Sequence, residues 1–341
     1  MNKNKENNFI NSSKKNSKAS NLNNLNTKVT TFDDKNILSD TNNNTVNSNN
    51  PLSNNNINNN NNNINNNNNN NNINNNNITN LKKNLFQQKK KTYENGSVYV
   101  GDLDENSQRN GKGKLTFLNG NIYEGNFKQD KFNGYGKFID ATNKSIYEGQ
   151  FVNDEKNGQG KETFVDGTIY VGQYKNDKRC GYGKITFANG SIYEGEFFND
   201  KVEGKGIFRW NNNIKVYNGY WKNNSLEGFG CFIQDNNKKY IGYFKDNKKE
   251  GIGLNYFYKS NKFIISNWIN DKLEGIAIYL SPDEELEIWE MKGNRTKKRY
   301  LENSEKQNMK HSQEYMNLKN FFESIKDCEY VDENMNLNVN L

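Results

Sequence analysis

Pairs of glycines in the pattern Gly-x-Gly recur along the chain, as in Gly134 with Gly136 and Gly204 with Gly206. Such spacing can cradle a phosphate, but only where a strand, a Gly-rich turn and a helix N-terminus follow one another, with a further Gly or Lys at fixed distance. Here the pairs return every 23–24 residues inside strand-like sequence, so they read as structural. The only histidine, His311, has no Cys or carboxylate at ligand spacing, and Cys180, Cys231 and Cys328 lie too far apart for a zinc site or a disulfide framework. Aromatics interleaved with Lys could stack single-stranded nucleic acid, yet their strict period argues that they pack against their own scaffold. The expectation is no catalytic residue, no metal, no cofactor and no small-molecule substrate, with nucleic acid a disfavoured partner.

The chain has 341 residues, of which 32% are hydrophobic and 26% charged. That apolar fraction sits below the usual ~45–50%, which argues against a large, conventionally layered core. Nothing approaches the ~18 consecutive apolar residues of a membrane span, Met1–Ile10 lacks an apolar signal core, and the last residues lack a Cys for prenylation. An intracellular, cytoplasmic, reduced protein is expected. The net charge of +7 divides into +7 over residues 1–98, +4 over 99–280 and −4 over 281–341. The basic excess therefore belongs mostly to the N-terminal tail.

Residues 1–89 are of low complexity. From Asn54 to Asn77 only Ile57, Ile64 and Ile73 interrupt the asparagines, and such a segment cannot bury enough apolar surface to offset its ordering entropy, so a disordered tail is expected. Leu81 to Lys91 forms a basic patch at its end, read as a solvated linker with membrane-surface contact as the alternative.

From about residue 90 to 291 the sequence repeats. Tyr99, Tyr123, Tyr147, Tyr170, Tyr193, Tyr217 and Tyr240 recur at intervals of 24, 24, 23, 23, 24 and 23, and Ile264 takes the same place in a degenerate eighth copy. Each unit reads Tyr-x-Gly-x-aromatic, then Gly-x-Gly, with apolar residues in alternation, which is the period of a strand. Asn95-Gly96, Asn119-Gly120, Asp166-Gly167 and Asn189-Gly190 lie between units and are favoured in two-residue type I′ turns. The prediction is an all-β protein: an elongated, single-layer antiparallel meander of hairpins, about sixteen strands in all. Pairing the second aromatic of a unit with the first glycine of its Gly-x-Gly would set Gly125 opposite Gly136 and Tyr123 opposite Phe138. That leaves a floor without side chains on which aromatic rings can lie.

The motif Tyr-x-Gly-x-Phe…Gly-x-Gly-x-x-x-Phe-x-x-Gly resembles the MORN (membrane occupation and recognition nexus) repeat, over more than half the chain. The resemblance implies an elongated twisted sheet with a groove, found in scaffolds at membrane–cytoskeleton junctions, cell-division structures and axonemes, and as an accessory array fused to enzymes.

The face opposite the aromatics changes along the array. Early units place Glu124, Asn126, Lys137, Glu148, Gln150 and Lys161 there, whereas late units place Tyr220, Phe229, Ile241, Tyr243, Ile252, Leu254, Ile276 and Ile278. A sheet apolar on both faces needs a cover. Residues 292–341 offer one, because 304–327 read as a helix with Ser304 as N-cap and a stripe of Tyr315, Leu318, Phe321, Phe322 and Ile325. Self-capping is the favoured reading, with homodimerisation or a partner helix as alternatives. Two functions compete. One is a non-catalytic scaffold for protein partners or self-association, at a membrane-associated or cytoskeletal structure. The other is a peripheral adaptor for anionic phospholipid or phosphoinositide, through Lys238, Lys239, Lys245, Lys248 and Lys249. An accessory array for a separate enzyme ranks below both.

Overall fold

The computed structural model describes residues 89–211, 213–280, 287–292, 299–300 and 303–326. The low-complexity tail expected over 1–89 lies outside them except for its last residue. Lys89 begins the first strand, so the sheet starts within the basic patch.

Among the described residues nineteen strands form one sheet in which each pairs antiparallel with the next in sequence. The order begins β1 (Lys89–Thr92), β2 (Val98–Leu103), β3 (Arg109–Thr116), β4 (Ile122–Lys128), β5 (Lys131–Asp140) and β6 (Ser145–Val152). It continues with β7 (Glu155–Thr163), β8 (Ile169–Lys175), β9 (Lys178–Thr186), β10 (Ile192–Phe198), β11 (Lys201–Arg209) and β12 (Val216–Lys222). The last are β13 (Ser225–Asp235), β14 (Lys238–Lys245), β15 (Lys248–Phe257), β16 (Lys262–Ile269), β17 (Lys272–Leu280), β18 (Glu287–Lys292) and β19 (Arg299–Tyr300). The strands beyond the sixteen expected carry no repeat motif; they extend the sheet at both ends by edge pairing.

The turns differ from the expectation. At Asn95-Gly96, Asn119-Gly120, Asp166-Gly167 and Asn189-Gly190 only the glycine has a left-handed φ, between +81° and +88°. Its N–H reaches back three residues, as from Gly120 to the Phe117 carbonyl at 3.0 Å. These are type I turns followed by a left-handed glycine, the three-residue hairpin loop. The Asn or Asp side chain accepts from the N–H two residues on, for example Asn119 from Asn121 at 3.0 Å. The two-residue I′ turns lie at the other end of the strands. Gln129-Asp130, Asn153-Asp154, Asn176-Asp177, Asn199-Asp200, Asn223-Asn224, Asp246-Asn247 and Asn270-Asp271 have positive φ at both positions, a conformation that Asn and Asp tolerate better than most.

One face carries the aromatic core. Tyr123 pairs with Phe138 and Gly125 with Gly136, as expected, but Phe127 pairs with Phe132 and not with Gly134. A bulge intervenes, and Gly134 takes φ +92° to make it. Gly134 instead faces Phe151 of the next hairpin. The Tyr123 ring lies on the glycine floor: a Cβ on Gly136 would sit 2.4 Å from its hydroxyl. That hydroxyl donates to the Asn126 carbonyl at 2.8 Å, and the same bond recurs from Tyr99, Tyr147, Tyr170, Tyr193, Tyr217 and Tyr240. Edge-to-face contacts then link unit to unit, as in Tyr99–Phe127 at 5.2 Å and Tyr123–Phe151 at 5.2 Å. Such geometry adds ~0.5–1.5 kcal/mol per pair to the area buried.

A second repeated bond ties the units together. The last residue of each I′ turn reaches back to the strand of the preceding unit. Asp154 accepts from the Phe132 N–H at 2.7 Å and donates its own N–H to the Phe132 carbonyl at 3.0 Å. Asp130, Asp177, Asp200, Asn224, Asn247 and Asp271 make the same pair of bonds with Arg109, Lys156, Arg179, Val202, Leu226 and Lys249.

The C-terminal helix expected over 304–327 is two helices, α1 (Asn303–Lys310) and α2 (Gln313–Ile325). The break falls at His311–Ser312, where Ser312 turns extended and its hydroxyl caps the Tyr315 N–H at 3.2 Å. Ser312, rather than Ser304, is therefore the N-cap of the packed helix.

Candidate binding face

Opposite the aromatics, one row of side chains can be followed strand by strand because the register places them side by side. From β2 it runs Val100, Lys114, Glu124, Lys137, Glu148, Lys161, Val171, Lys184, Glu194 and Ile207. It continues through Asn218, Cys231, Ile241, Leu254, Ile265 and Ile278 to Ile288. The row begins as alternating charge and ends as aliphatic core.

At the charged end, Lys137 and Glu148 pair at 2.8 Å and Lys114 and Glu124 at 3.8 Å, all at the surface. The hydrogen bond from Lys137, more than its charge, holds the Glu148 carboxyl below its ordinary range. At the aliphatic end the row is covered by α2. Tyr315, Leu318, Phe321, Phe322 and Ile325 are buried in one cluster with Cys231, Ile241, Leu254, Ile265, Ile276, Ile278 and Ile288. Phe322 stacks on Phe263 at 5.4 Å, and Phe321 meets Phe229 and Tyr243, each at 6.4 Å. The groove positions Phe229 and Ile252 pack at the margin of this cluster, whereas Tyr220 and Tyr243 remain exposed.

One contact of α2 has no signal in the sequence. In earlier units the N–H that follows the bulge glycine is capped from within the unit, as Gln159 N–H by Gln150 at 2.8 Å and Lys112 N–H by Asp102 at 3.0 Å. In the last unit Glu314 of α2 performs this role, accepting from Ile276 N–H at 2.7 Å.

The lysines grouped between 238 and 249 do not converge. Lys238 and Lys245 stand at opposite ends of β14, about 23 Å apart at strand rise. Lys239 and Lys249 are buried. The Lys249 ammonium lies 4.7 Å from the Tyr240 ring centroid and 4.8 Å from that of Trp268. Both side chains are turned away from solvent, and for Lys249 the contact of a cation with an aromatic face is favourable.

The same position in two other units is also cationic, buried at Arg179 and partly buried at Lys156. Arg179 lies against Tyr170 and Phe197 and bonds Asp200 at 3.2 Å. Lys156 bonds Glu162, which also accepts from the Tyr174 hydroxyl at 2.8 Å. Burial raises the Glu162 carboxyl, but the Lys156 charge and these hydrogen bonds outweigh it and hold the group below its ordinary range. These charges complete the core, and among the described residues no group of three or more His, Cys, Asp or Glu is placed to hold a metal ion.

The MORN repeat family pattern matches seven segments, residues 105–122, 123–144, 147–169, 170–192, 193–214, 217–238 and 240–254. The copy at Ile264 continues the ladder structurally without matching. Among curated proteins none matches the chain. Solved structures similar to it include the TCP10 domain of Danio rerio CPAP, 11% identical, covering 62% of this chain and 100% of that one, with a TM-score of 0.37. The TCP domain of Drosophila melanogaster SAS-4, solved with a proline-rich motif of Ana2, is 17% identical and covers 46% of this chain and 84% of that one, with a TM-score of 0.30. Likenesses of this size carry no functional argument. What the comparisons do show is the repeat itself: residues 105–254 carry seven MORN repeats.

Proposed function

We propose that the chain is a non-catalytic scaffold that holds a protein partner on the opposite face of β8–β12. The observation that carries this reading is the change in the row at Val171. Where earlier units place a glutamate between two lysines, Val171 stands between Lys161 and Lys184. Val171, Tyr182 and Tyr220 are 49%, 56% and 43% exposed. Exposed apolar side chains in a lysine frame, fixed on a continuous ladder, suit a partner that is apolar and acidic. α2 serves in the same reading as the cover of the later units.

Affinity purification with the wild-type chain and with Val171→Glu, Tyr182→Glu tests the docking face. The partner bound by the wild type should be lost from the variant and retained by Lys137→Ala. Equal recovery from all three would overturn the reading. The family adds a membrane-associated or cytoskeletal setting, which a diffuse distribution in fluorescence imaging would contradict. Phospholipid adaptation is the weaker alternative, since two of its five lysines are buried. Salt-sensitive co-sedimentation with phosphoinositide vesicles, lost in Lys245→Glu, Lys248→Glu, would reverse that ranking.

A further inference from the structure

We infer that the chain's own residues 327–341 occupy the docking face of β8–β12, extending the layer that α2 begins. Direction comes first. Glu314, in the first turn of α2, bonds β17 at Ile276, and Phe321, two turns later, meets β13 and β14 at Phe229 and Tyr243. The helix therefore travels back along the row, toward earlier units, and its C-terminal end is the one nearer β12.

The surface ahead of it is unfinished. Tyr220, Tyr182 and Val171 are exposed, and Ile207 is half-buried between them. Lys161 and Lys184 have no carboxylate at ion-pair distance among the described residues: Val171 stands between them, and Glu148, the other ladder neighbour of Lys161, pairs with Lys137 at 2.8 Å. The nearby acids are engaged: Glu194 accepts from the Tyr182 hydroxyl at 3.2 Å and Glu196 from the Lys205 N–H at 3.1 Å.

The segment that follows Lys326 has the complementary composition. It carries Asp327, Glu329, Asp332 and Glu333 and no Lys or Arg, with Tyr330, Val331, Met335, Leu337, Val339 and Leu341 as its apolar residues. From β12 to β8 is four strand spacings, about 19 Å. Fifteen residues can span at most about 50 Å, so reach is ample. The inference rests on the docking face proposed above: there the segment is a resident competitor that a partner must displace.

The test places the photo-crosslinker p-benzoylphenylalanine at position 182 of the full chain, an exposed site, and maps the linked peptides by mass spectrometry at two protein concentrations tenfold apart. The expected link joins position 182 to a peptide within 327–341 of the same chain, with a yield independent of concentration. Lys161→Glu with Lys184→Glu should lower that yield about tenfold, since like charges would then face each other. Adding Asp327→Lys and Glu329→Lys should restore it. Absence of any link to 327–341, or a link found only in covalent dimers, overturns the inference. Either result leaves the docking face standing, because that reading fails by a different result: partner recovery indifferent to Val171→Glu, Tyr182→Glu.

Discussion

The units around Tyr123 and Tyr147 and those around Tyr240 and Ile264 share one aromatic face but not the other. In both regions a tyrosine lies on a glycine floor and donates to the carbonyl three residues on. On the opposite face the early row is Lys137 beside Glu148, and the late row is Ile241, Leu254, Ile265 and Ile278. The aromatic face is self-sufficient, because its rings fold over the sheet that bears them. The opposite face has no such device, so it must be either wet or covered. Charge solves the problem in the early units and a helix solves it in the late ones.

The largest effect should come from breaking the cover. Leu318 is 1% exposed at the centre of the α2 stripe, and Leu318→Asp would bury an unpaired carboxylate. A loss of about 4 kcal/mol or more is expected, confined to the late units because a repeat array is coupled mainly to its nearest neighbours. Amide hydrogen exchange should show β13–β18 losing protection while β3–β7 keep theirs. Uniform loss over the sheet would mean that the two regions are one cooperative unit.

Next comes the pair of the bare region formed by partly buried Lys156 and buried Glu162. Glu162→Gln leaves the Lys156 ammonium without its carboxylate, at about 3–5 kcal/mol. The pH dependence has a fixed sign. The folded Glu162 carboxyl is held below its unfolded value, so its contribution is fully present above the ordinary glutamate range, about 4.3, and is lost as pH falls through the lower, folded value. Thermal unfolding between pH 6 and pH 3 should show a smaller acid-dependent loss in Glu162→Gln than in the wild type. An identical slope in both would remove Glu162 from the acid response.

The shared face predicts equality. A Cβ at Gly136 would come within 2.4 Å of the Tyr123 hydroxyl, and one at Gly253 within 2.3 Å of the Tyr240 hydroxyl. Gly136→Ala and Gly253→Ala should therefore each cost about 2–3 kcal/mol by overpacking, in the bare and the covered region alike. Gly167→Ala, where nothing lies within 4 Å but φ is +88°, should cost about 1 kcal/mol through the backbone alone. A markedly cheaper Gly253→Ala would show that the cover lets the late floor relax.

Much of this is legible in the sequence. The period, the glycine floor and the change of the second face follow from residue type and spacing, because aromatic, glycine and aliphatic positions obey a strict alternation. What escaped depends on relations that spacing does not encode. Asn119-Gly120 suits a type I′ turn as a dipeptide, yet the extra loop residue makes it a type I turn with a left-handed glycine, and the I′ geometry goes to Asn153-Asp154. Lys249 reads as a surface charge beside Lys248, yet one step along a strand reverses the face, and it falls between Tyr240 and Trp268. The clasp from Asp154 to Phe132 joins residues 22 apart, and the Glu314 bond to Ile276 joins residues 38 apart. Neither leaves a local pattern.

The smallest expected effect tests why the early row is charged at all. Lys137 and Glu148 are each more than a third exposed, so a double-mutant cycle should return a coupling of about 0.2–1 kcal/mol, falling with salt. So weak a pair is not what holds β5 to β6; the ladder and the aromatic face do that. Replacing both by valine should leave the melting temperature within a few degrees, since valine suits a strand. It would also set two adjacent valines in the row, separated from Val171 only by Lys161, with no helix above them. The variant should therefore lose solubility, read as concentration-dependent scattering below its melting temperature, while the single Lys137→Ala stays clear. Full solubility of the valine pair would mean that the early face tolerates being apolar without a cover, and the contrast with the α2-covered units would need another cause.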